Sequence, residues 1–273
     1  MEVGSPWFLF FALALLGAVG WSLREGARRG IPRVVVIDVG IAALVGGMVG
    51  GRVHHVLFEP LPAESSAWFV EQMPPGGWQD AARARLAVDP ADVPVRWWYA
   101  ARPAEVVALG KGGFGLLGGV SLAVLLSVLA VRRHRRGPDD DLVGRTADLA
   151  APAVALGVAI GRIGCAVSGC CHGRACPPGW PLERWPTALL EAAWAGGLFL
   201  LLRRPGEGPP GQRFLLLLWL YAPGRFLLEL LRGDPRGAAL GLSTSQWWAL
   251  LLGAPALAAW LVRGRRGGTP APT

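Results

Sequence analysis

The chain has 273 residues, 52% of them hydrophobic and 17% charged, with a formal net charge of +8. A soluble chain this apolar could not cover its own surface with polar groups, so the bilayer is its expected solvent. The charge does not point to nucleic acid, because the arginines stand in short clusters between apolar runs, a spacing that suits loops facing anionic lipid headgroups.

A crossing helix needs roughly 20 mainly apolar residues. In chain order the segments that meet this are 6–23, 34–53, 112–131, 147–167, 186–202, 214–231 and 243–262. The fourth and sixth carry Arg162, Arg225 and Glu229 within them. The first is read as a retained span and not a cleaved signal peptide, since Glu2 replaces the usual basic start and the arginines follow the apolar run. Gly46, Gly47, Gly50 and Gly51 put two GxxxG pairs on the second span, and Gly157 with Gly161 puts one on the fourth. Such pairs let helix backbones approach closely, and packing alone accounts for them. The expected fold is all-α, a polytopic integral membrane protein of about seven transmembrane helices in a single membrane domain, 1–273.

Orientation follows from the loops, because Lys and Arg near span ends stay in the cytoplasm. Arg24, Arg28, Arg29 and Arg33 follow the first span; Arg132, Arg133, Arg135, Arg136 and Arg145 the third; Arg203, Arg204 and Arg213 the fifth; Arg263, Arg265 and Arg266 the seventh. Alternate loops are poorer, which places the N-terminus outside and the C-terminus in the cytoplasm. The stretch 54–103 mixes Trp68, Trp78, Trp97 and Trp98 with several prolines, and reads as an extracytoplasmic arm lying along the headgroups. The tail 264–273 is expected to be disordered.

Arg162 lies near the outer end of the fourth span, where an unpaired cation costs several kcal/mol, so it requires a partner. Tyr221, Arg225 and Glu229 share the sixth span, with Arg225 and Glu229 spaced i,i+4 on one helix face. A self-neutralising helix salt bridge is the structural reading. Two arginines against one in-span carboxylate nevertheless leave a cation over, and a lipid phosphate suits it because a guanidinium grips phosphate bidentately.

The segment Gly161-Arg162-Ile163-Gly164-Cys165-Ala166-Val167-Ser168-Gly169-Cys170-Cys171-His172-Gly173-Arg174 resembles the signature of prolipoprotein diacylglyceryl transferases, roughly G-R-x-G-N-F-x-N-x-E-x-x-G. Tyr221, Arg225 and Glu229, continuing into Leu231-Arg232-Gly233-Asp234, are similar to that family's Tyr-Gly-x-x-Arg-x-x-x-Glu motif, and Pro186-Thr187 with Glu191 to its His-Pro-[Ser/Thr]-Gln-x-Tyr-Glu motif. The likeness runs in order from Asp38 and Gly50-Gly51-Arg52 to Ser243-Thr244-Ser245-Gln246. The family's seven spans and outside N-terminus agree with the loop count. Departures are specific: the family's His-Gly-Gly aligns with Leu117-Gly118-Gly119, and Cys165, Ser168, Cys170, Trp185, Ala188 and Leu190 replace Asn, Asn, acid, His, Gln and Tyr.

The resemblance implies an enzyme of the bacterial plasma membrane that moves a diacylglyceryl group from phosphatidylglycerol to the lipobox cysteine of prolipoprotein signal peptides, releasing glycerol phosphate. Its implied partners are those two substrates and membrane lipid, with no nucleic acid and no cofactor. Arg162 and Arg225 would clamp phosphate, Tyr221 and Glu229 would orient the second arginine, and Gly118, Gly119, Gly161, Gly164, Ser168 and Gly173 would line the substrate. The reaction needs an anion clamp and a route for the thiol proton, because the thiolate is the nucleophile. With Leu117 in place of the family histidine, His172 is the nearest proton acceptor in sequence, and His54 and His55 are weaker candidates.

Two other readings stay open. A family paralogue that binds lipid or transfers it to another acceptor fits the missing His and Asn side chains. Cys165, Cys170, Cys171, His172 and Cys176 fit a thiol-redox or metal-handling membrane protein. Their spacing is not a repeated CxxC, and the outside face is oxidising, which favours a disulfide over a metal; no metal site is expected.

Overall fold

The computed structural model describes residues 6–58, 96, 99, 103–107, 115–169, 171, 173–204, 208–233 and 238–267. Among these are seven α-helices: α1 Pro6–Arg28, α2 Arg33–Phe58, α3 Leu116–Arg133, α4 Leu142–Val167, α5 Thr187–Leu202, α6 Gln212–Glu229 and α7 Thr244–Gly267. A two-residue ribbon, β1 Ala238–Ala239 against β2 Leu242–Ser243, turns through Leu240 and Gly241, both at positive φ (53° and 77°).

Each expected span coincides with one helix, and the differences lie at the ends. Hydropathy falls at Arg and His, whereas backbone hydrogen bonding continues past them. α2 therefore runs through His54 and His55 to Phe58, so the expected arm begins later; its residues 59–95 lie outside the described residues. α7 reaches Gly267, and the expected tail beyond it, 268–273, also lies outside them. α4 starts five residues before the apolar run because the Asp140 carboxylate accepts the Leu142 amide at 3.0 Å.

Among the described residues four helices are long and apolar enough to cross a membrane: Leu9–Arg28, Arg33–Phe58, Leu142–Val167 and Ser245–Gly264. Their large apolar side chains face outward, with Leu16 68%, Ile41 57% and Leu251 57% exposed. Water would penalise that surface and lipid would not, so the chain is an all-helical membrane protein.

Two compact units are present, one over 38–130 and one formed by 3–37 with 131–273. In the first, α2 and α3 meet through glycines. A Cβ on Gly46 would lie 2.6 Å from Ala123 Cα, and one on Gly50 would collide with the Gly118 carbonyl. The Gly115 amide donates to Gly51 O at 2.8 Å where the two chains close. Backbone proximity of this kind is how membrane helices gain dispersion energy without a hydrophobic driving force.

In the second unit α4 is central, packing against α1, α5 and α6, while α5 also packs on α6 and α6 on α7. Ala151 and Ala155 of α4, Leu198 and Leu202 of α5 and Leu217 of α6 form its buried core. Gly164 admits the Phe10 ring: an added Cβ would lie 2.5 Å from Phe10 Cβ. Near the start of α4, Asp148 accepts the amides of Gly211 (2.8 Å), Arg213 (2.8 Å) and Phe214 (3.1 Å), capping α6. Those N–H groups and the helix dipole stabilise the carboxylate at that depth.

Candidate active site

α4, α5, α6 and α7 alternate in direction, so the end of α4, the start of α5, the end of α6 and the start of α7 share one end of the second unit. Arg162, Glu191, Arg225, Glu229 and Ser245 come from those four ends. Glu191 is the hub. It is 1% exposed, the Tyr221 hydroxyl donates to its Oε1 at 2.5 Å, and Arg162 Nε stands 3.1 Å from its Oε2. Arg225 Nε lies 4.0 Å from the same carboxylate, Arg225 Nη2 is 2.7 Å from Glu229 Oε2, and Nη2 also donates to Ser245 Oγ at 2.9 Å. Arg232, one helical turn beyond Glu229, sits with Nε 3.9 Å from Glu229 Oε2.

Local sequence explains the placement. Pro223 cannot donate to the Trp219 carbonyl, which loosens α6 one turn before Arg225. Gly224 makes room for the Trp194 indole, which an added Cβ would overlap. Pro186 precedes α5, so Thr187 and Glu191 occupy successive turns of one face, and both are 1% exposed. At the start of α7, Ser243 Oγ accepts the Gln246 amide (3.2 Å) and Gln246 Oε1 accepts the Ser243 amide (3.0 Å), which fixes the turn presenting Ser245.

The segment after α4 is folded back onto the cluster. Gly173 pairs with Arg232 in an antiparallel bridge, the Arg174 amide donates to Leu231 O (2.9 Å), and Thr187 Oγ1 donates to Cys171 O (2.8 Å). Cys171 takes a left-handed conformation, φ 58°. The Cys165 hydrogen bond, with Arg232 and Arg162, outweighs burial and lowers the Cys171 thiol from its ordinary value to about 4.

Of the residues expected from sequence, the structure brings Arg162, Tyr221, Arg225 and Glu229 together. Tyr221 donates its hydroxyl to Glu191, the carboxylate that also faces both arginines. Gly161 has open space where a Cβ would stand, Gly164 is taken up by Phe10, and Ser168 is an exposed helix terminus whose amide donates to Gly164 O (2.9 Å). Gly173 is enclosed by Trp185 and Leu231, with an added Cβ 2.5 Å from Trp185 O. Gly118 and Gly119 lie on α3 in the first unit, against Gly50 and Gly47 of α2. His54 meets the Phe58 ring at a tilt and His55 meets Tyr99 edge-on, both in that unit. His172 and Cys170 lie outside the described residues. Among the described residues no three His, Cys, Asp or Glu side chains converge as a metal site, and Cys165, Cys171 and Cys176 are free thiols.

Sequence reasoning missed Glu191 as a member of the cluster and counted one in-span carboxylate where two are present. The available signal was an acid inside the fifth apolar run, which needs a cationic partner for the same reason Arg162 needs an anionic one. Arg232 and Cys171 were missed as contributors because only the contacts of Cys171 and of the segment 173–186 bring them in.

The chain matches the family model for prolipoprotein diacylglyceryl transferase over residues 6–262. It is 27% identical over 272 residues to "Phosphatidylglycerol--prolipoprotein diacylglyceryl transferase 2" of Streptomyces coelicolor, covering 93% of this chain and 74% of that one. The Paenarthrobacter aurescens phosphatidylglycerol--prolipoprotein diacylglyceryl transferase is 28% identical, with 96% and 80% covered, and the Streptococcus agalactiae protein of that name is 27% identical, with 87% and 83% covered. With nearly its whole length matched, this chain belongs to the prolipoprotein diacylglyceryl transferase family, a family of transferases.

Proposed function

We propose that this chain transfers a diacylglyceryl group from phosphatidylglycerol to the thiol of a prolipoprotein lipobox cysteine, with Arg162 and Arg225 as the phosphate clamp. The observation that carries the reading is a buried guanidinium donor that the cluster leaves unused. Among the described residues three guanidiniums, those of Arg162, Arg225 and Arg232, meet two carboxylates, and the buried Arg225 Nη1 has no hydrogen-bond partner. A donor left over in so buried a setting suits an anionic headgroup.

In the reaction the acceptor sulfur forms a bond to the glyceryl carbon that carries the phosphate. The carbon–oxygen bond breaks, and its electron pair leaves on glycerol phosphate. The clamp stabilises the charge growing on the departing oxygen, and Glu191 and Glu229 hold the guanidiniums in fixed planes so that little reorganisation is needed. The thiol proton leaves by a separate group, for which His172 is our candidate, since Leu117 stands at the family histidine position.

The same reading has all seven helices crossing a bacterial plasma membrane as one membrane domain. The 16 residues of α5 span only ~24 Å, which local thinning of the bilayer accommodates. The N-terminus is outside, and the cluster faces the extracytoplasmic leaflet, opposite the end that carries Arg203, Arg204 and Arg213. The test is transfer of labelled diacylglyceryl from phosphatidylglycerol to a lipobox peptide, with a Cys→Ser peptide as control. Labelling of the cysteine peptide alone is expected. Turnover of phosphatidylglycerol with neither peptide labelled would overturn the acceptor and favour the paralogue with another substrate, which the replacement of the family histidine by Leu117 also favours.

A further inference from the structure

The other end of the second unit holds a cavity of about 350 Å³ that the transfer reaction does not use. Part of its lining is the turn before α6, and that turn is fastened from several sides. Gly211 takes φ 89°, Asp148 of α4 accepts its amide and those of Arg213 and Phe214, and Arg263 Nη1 of α7 donates to Pro210 O at 2.9 Å. Pro210 packs on Gly144 of α4, where an added Cβ would lie 2.7 Å from Pro210 Cβ. The apolar lining comes from three helices, with Leu201 of α5, Leu216 of α6 and Trp260 of α7. Leu201 is 47% exposed, so this lining continues onto the outer face of the bundle.

Arg204, Arg213 and Asp148 supply the charge of the same cavity. Both Asp148 oxygens are engaged by the helix start, Oδ1 by the Arg213 and Phe214 amides and Oδ2 by the Gly211 amide. Among the described residues the buried Arg213 Nη1 has no hydrogen-bond partner, and two guanidiniums line the cavity against one carboxylate. A buried cationic donor without an acceptor is costly, and an anion removes the cost. A neighbouring cavity of about 300 Å³, lined by Arg24, Glu25, Arg28 and Arg203 with Trp21 and Phe199, differs in this respect: none of those side chains is among the buried donors left without a partner.

We propose that this cavity holds the phosphate of a second anionic phospholipid, drawn from the leaflet opposite the clamp. Arg213 Nη1 and the Arg204 guanidinium donate to the phosphate oxygens, and the acyl chains leave along Leu201 and Leu216. The Trp260 indole, apolar in body and polar at its N–H, suits the level of the headgroup. A free phosphate offers the same oxygens but gains nothing from the apolar lining, so the ligand is a lipid. Arg162 lies 14 positions after Asp148 on α4, ~21 Å along the helix, so one headgroup cannot serve both ends. The choice of leaflet rests on the orientation proposed above; the anion site does not.

The experiment counts the lipids that the full chain keeps when it is released from phosphatidylglycerol nanodiscs into a native mass spectrometer. The parent should keep two, and Arg213→Gln and Arg204→Gln one each, with affinity for the lost lipid reduced roughly tenfold. Both replacements spare the Arg213 amide that Asp148 accepts, so the start of α6 stays in place. Arg24→Gln removes the same charge from the neighbouring cavity and should keep two. Equal loss in Arg24→Gln, or two lipids kept by both Arg213→Gln and Arg204→Gln, overturns the site. Melting temperature in detergent is read alongside. Phosphatidylglycerol should raise it more for the parent than for Arg213→Gln, whereas phosphatidylcholine and inorganic phosphate should raise neither. A deficit of Arg213→Gln that is the same with and without phosphatidylglycerol means that the donor is satisfied within the chain, and overturns the site. A rise with inorganic phosphate as large as with the lipid overturns the lipid as ligand. Arg225→Gln should keep one lipid, and Arg213→Gln with Arg225→Gln none. If Arg225→Gln keeps two while Arg213→Gln keeps one, the clamp reading fails and this site stands.

Discussion

Replacing Glu191 by Gln tests the centre of the cluster with the least change of shape. The side chain is 1% exposed, so no space opens, but Oε1 loses the charge that accepts the Tyr221 hydroxyl and Oε2 the charge that faces Arg162. Breaking a buried pair by removing one partner costs ~3–5 kcal/mol, because the other charge stays buried and uncompensated. Arg162 is one-fifth exposed and recovers part of this from water, and the Gln carbonyl can still accept Tyr221, so ~3 kcal/mol is expected. For a chain of this length that is a fall of roughly 6–12 °C in melting temperature. Phosphatidylglycerol should return several degrees to the variant and fewer to the parent, since its phosphate replaces the missing anion. Transfer should fall by roughly a hundredfold, because the two arginines lose the group that fixes their spacing. Detergent melting curves with phosphatidylglycerol or phosphatidylcholine, alongside labelled-lipid transfer, measure both. A variant that melts and transfers like the parent would remove Glu191 from its position as hub.

Arg162→Lys and Arg225→Lys keep the charge but lose the planar fork, so transfer should drop by roughly tenfold to a hundredfold with the folded yield preserved; parental rates would make these arginines structural. Gly50→Val would drive a branched side chain into the Gly118 carbonyl, and folded yield should collapse, whereas Gly47→Ala, with open space around its Cβ, should be tolerated; equal yields would refute the close approach. Alkylation of Cys171 by iodoacetamide should stay level from pH 8 down to about 5 and decline only near 4, because Cys165, Arg232 and Arg162 hold the thiolate there and Glu229, which faces Arg232, does not reverse them; a rate rising tenfold per pH unit through neutrality would contradict it. A reporter fused after Arg266 should read cytoplasm and one inserted near Glu71 the outside, and the reverse pattern would remove both the topology and the placement of the cluster.

Helix positions were legible because a crossing helix must be apolar along its whole length, and that requirement is written residue by residue. The Arg225–Glu229 pair was legible for the same local reason, since i,i+4 spacing fixes a shared face whatever the tertiary structure. Glu191 was not, although it stands in plain view in the fifth span. Its partners are 29, 30 and 34 positions away on other helices, and which faces of α4, α5 and α6 meet is decided by packing that no single helix encodes. Cys171 illustrates the other limit. It looked like a member of a loose Cys/His group, and only the left-handed turn there and the Gly173–Arg232 bridge bring its segment to the cluster. Gly118 and Gly119, read as lining substrate from the family motif, are accounted for locally by backbone approach to α2.

The two ends of α4 show why the cluster is read as a working site and Asp148 is not. Both ends hold charge among the packed helices, and both have nearby counter-charge. Asp148 is satisfied by three backbone amides from the start of α6, all between 2.8 and 3.1 Å, so it closes a helix terminus, and the one buried donor beside it without a partner among the described residues, Arg213 Nη1, stands outside any salt-bridged cluster of guanidiniums. At the other end the guanidiniums outnumber the carboxylates, and Arg225 Nη1 is buried without an acceptor among the described residues. If stability were the only requirement, apolar residues of the same volume would serve as well as such a network or better, because desolvating five ionised side chains costs more than their mutual attraction returns unless every donor is used. An unused donor among three clustered guanidiniums is a cost that an anion with more than one oxygen would offset. A phosphate diester at the surface of the hydrocarbon region fits that description, and its glyceryl carbon would lie within reach of a thiol arriving from the same leaflet.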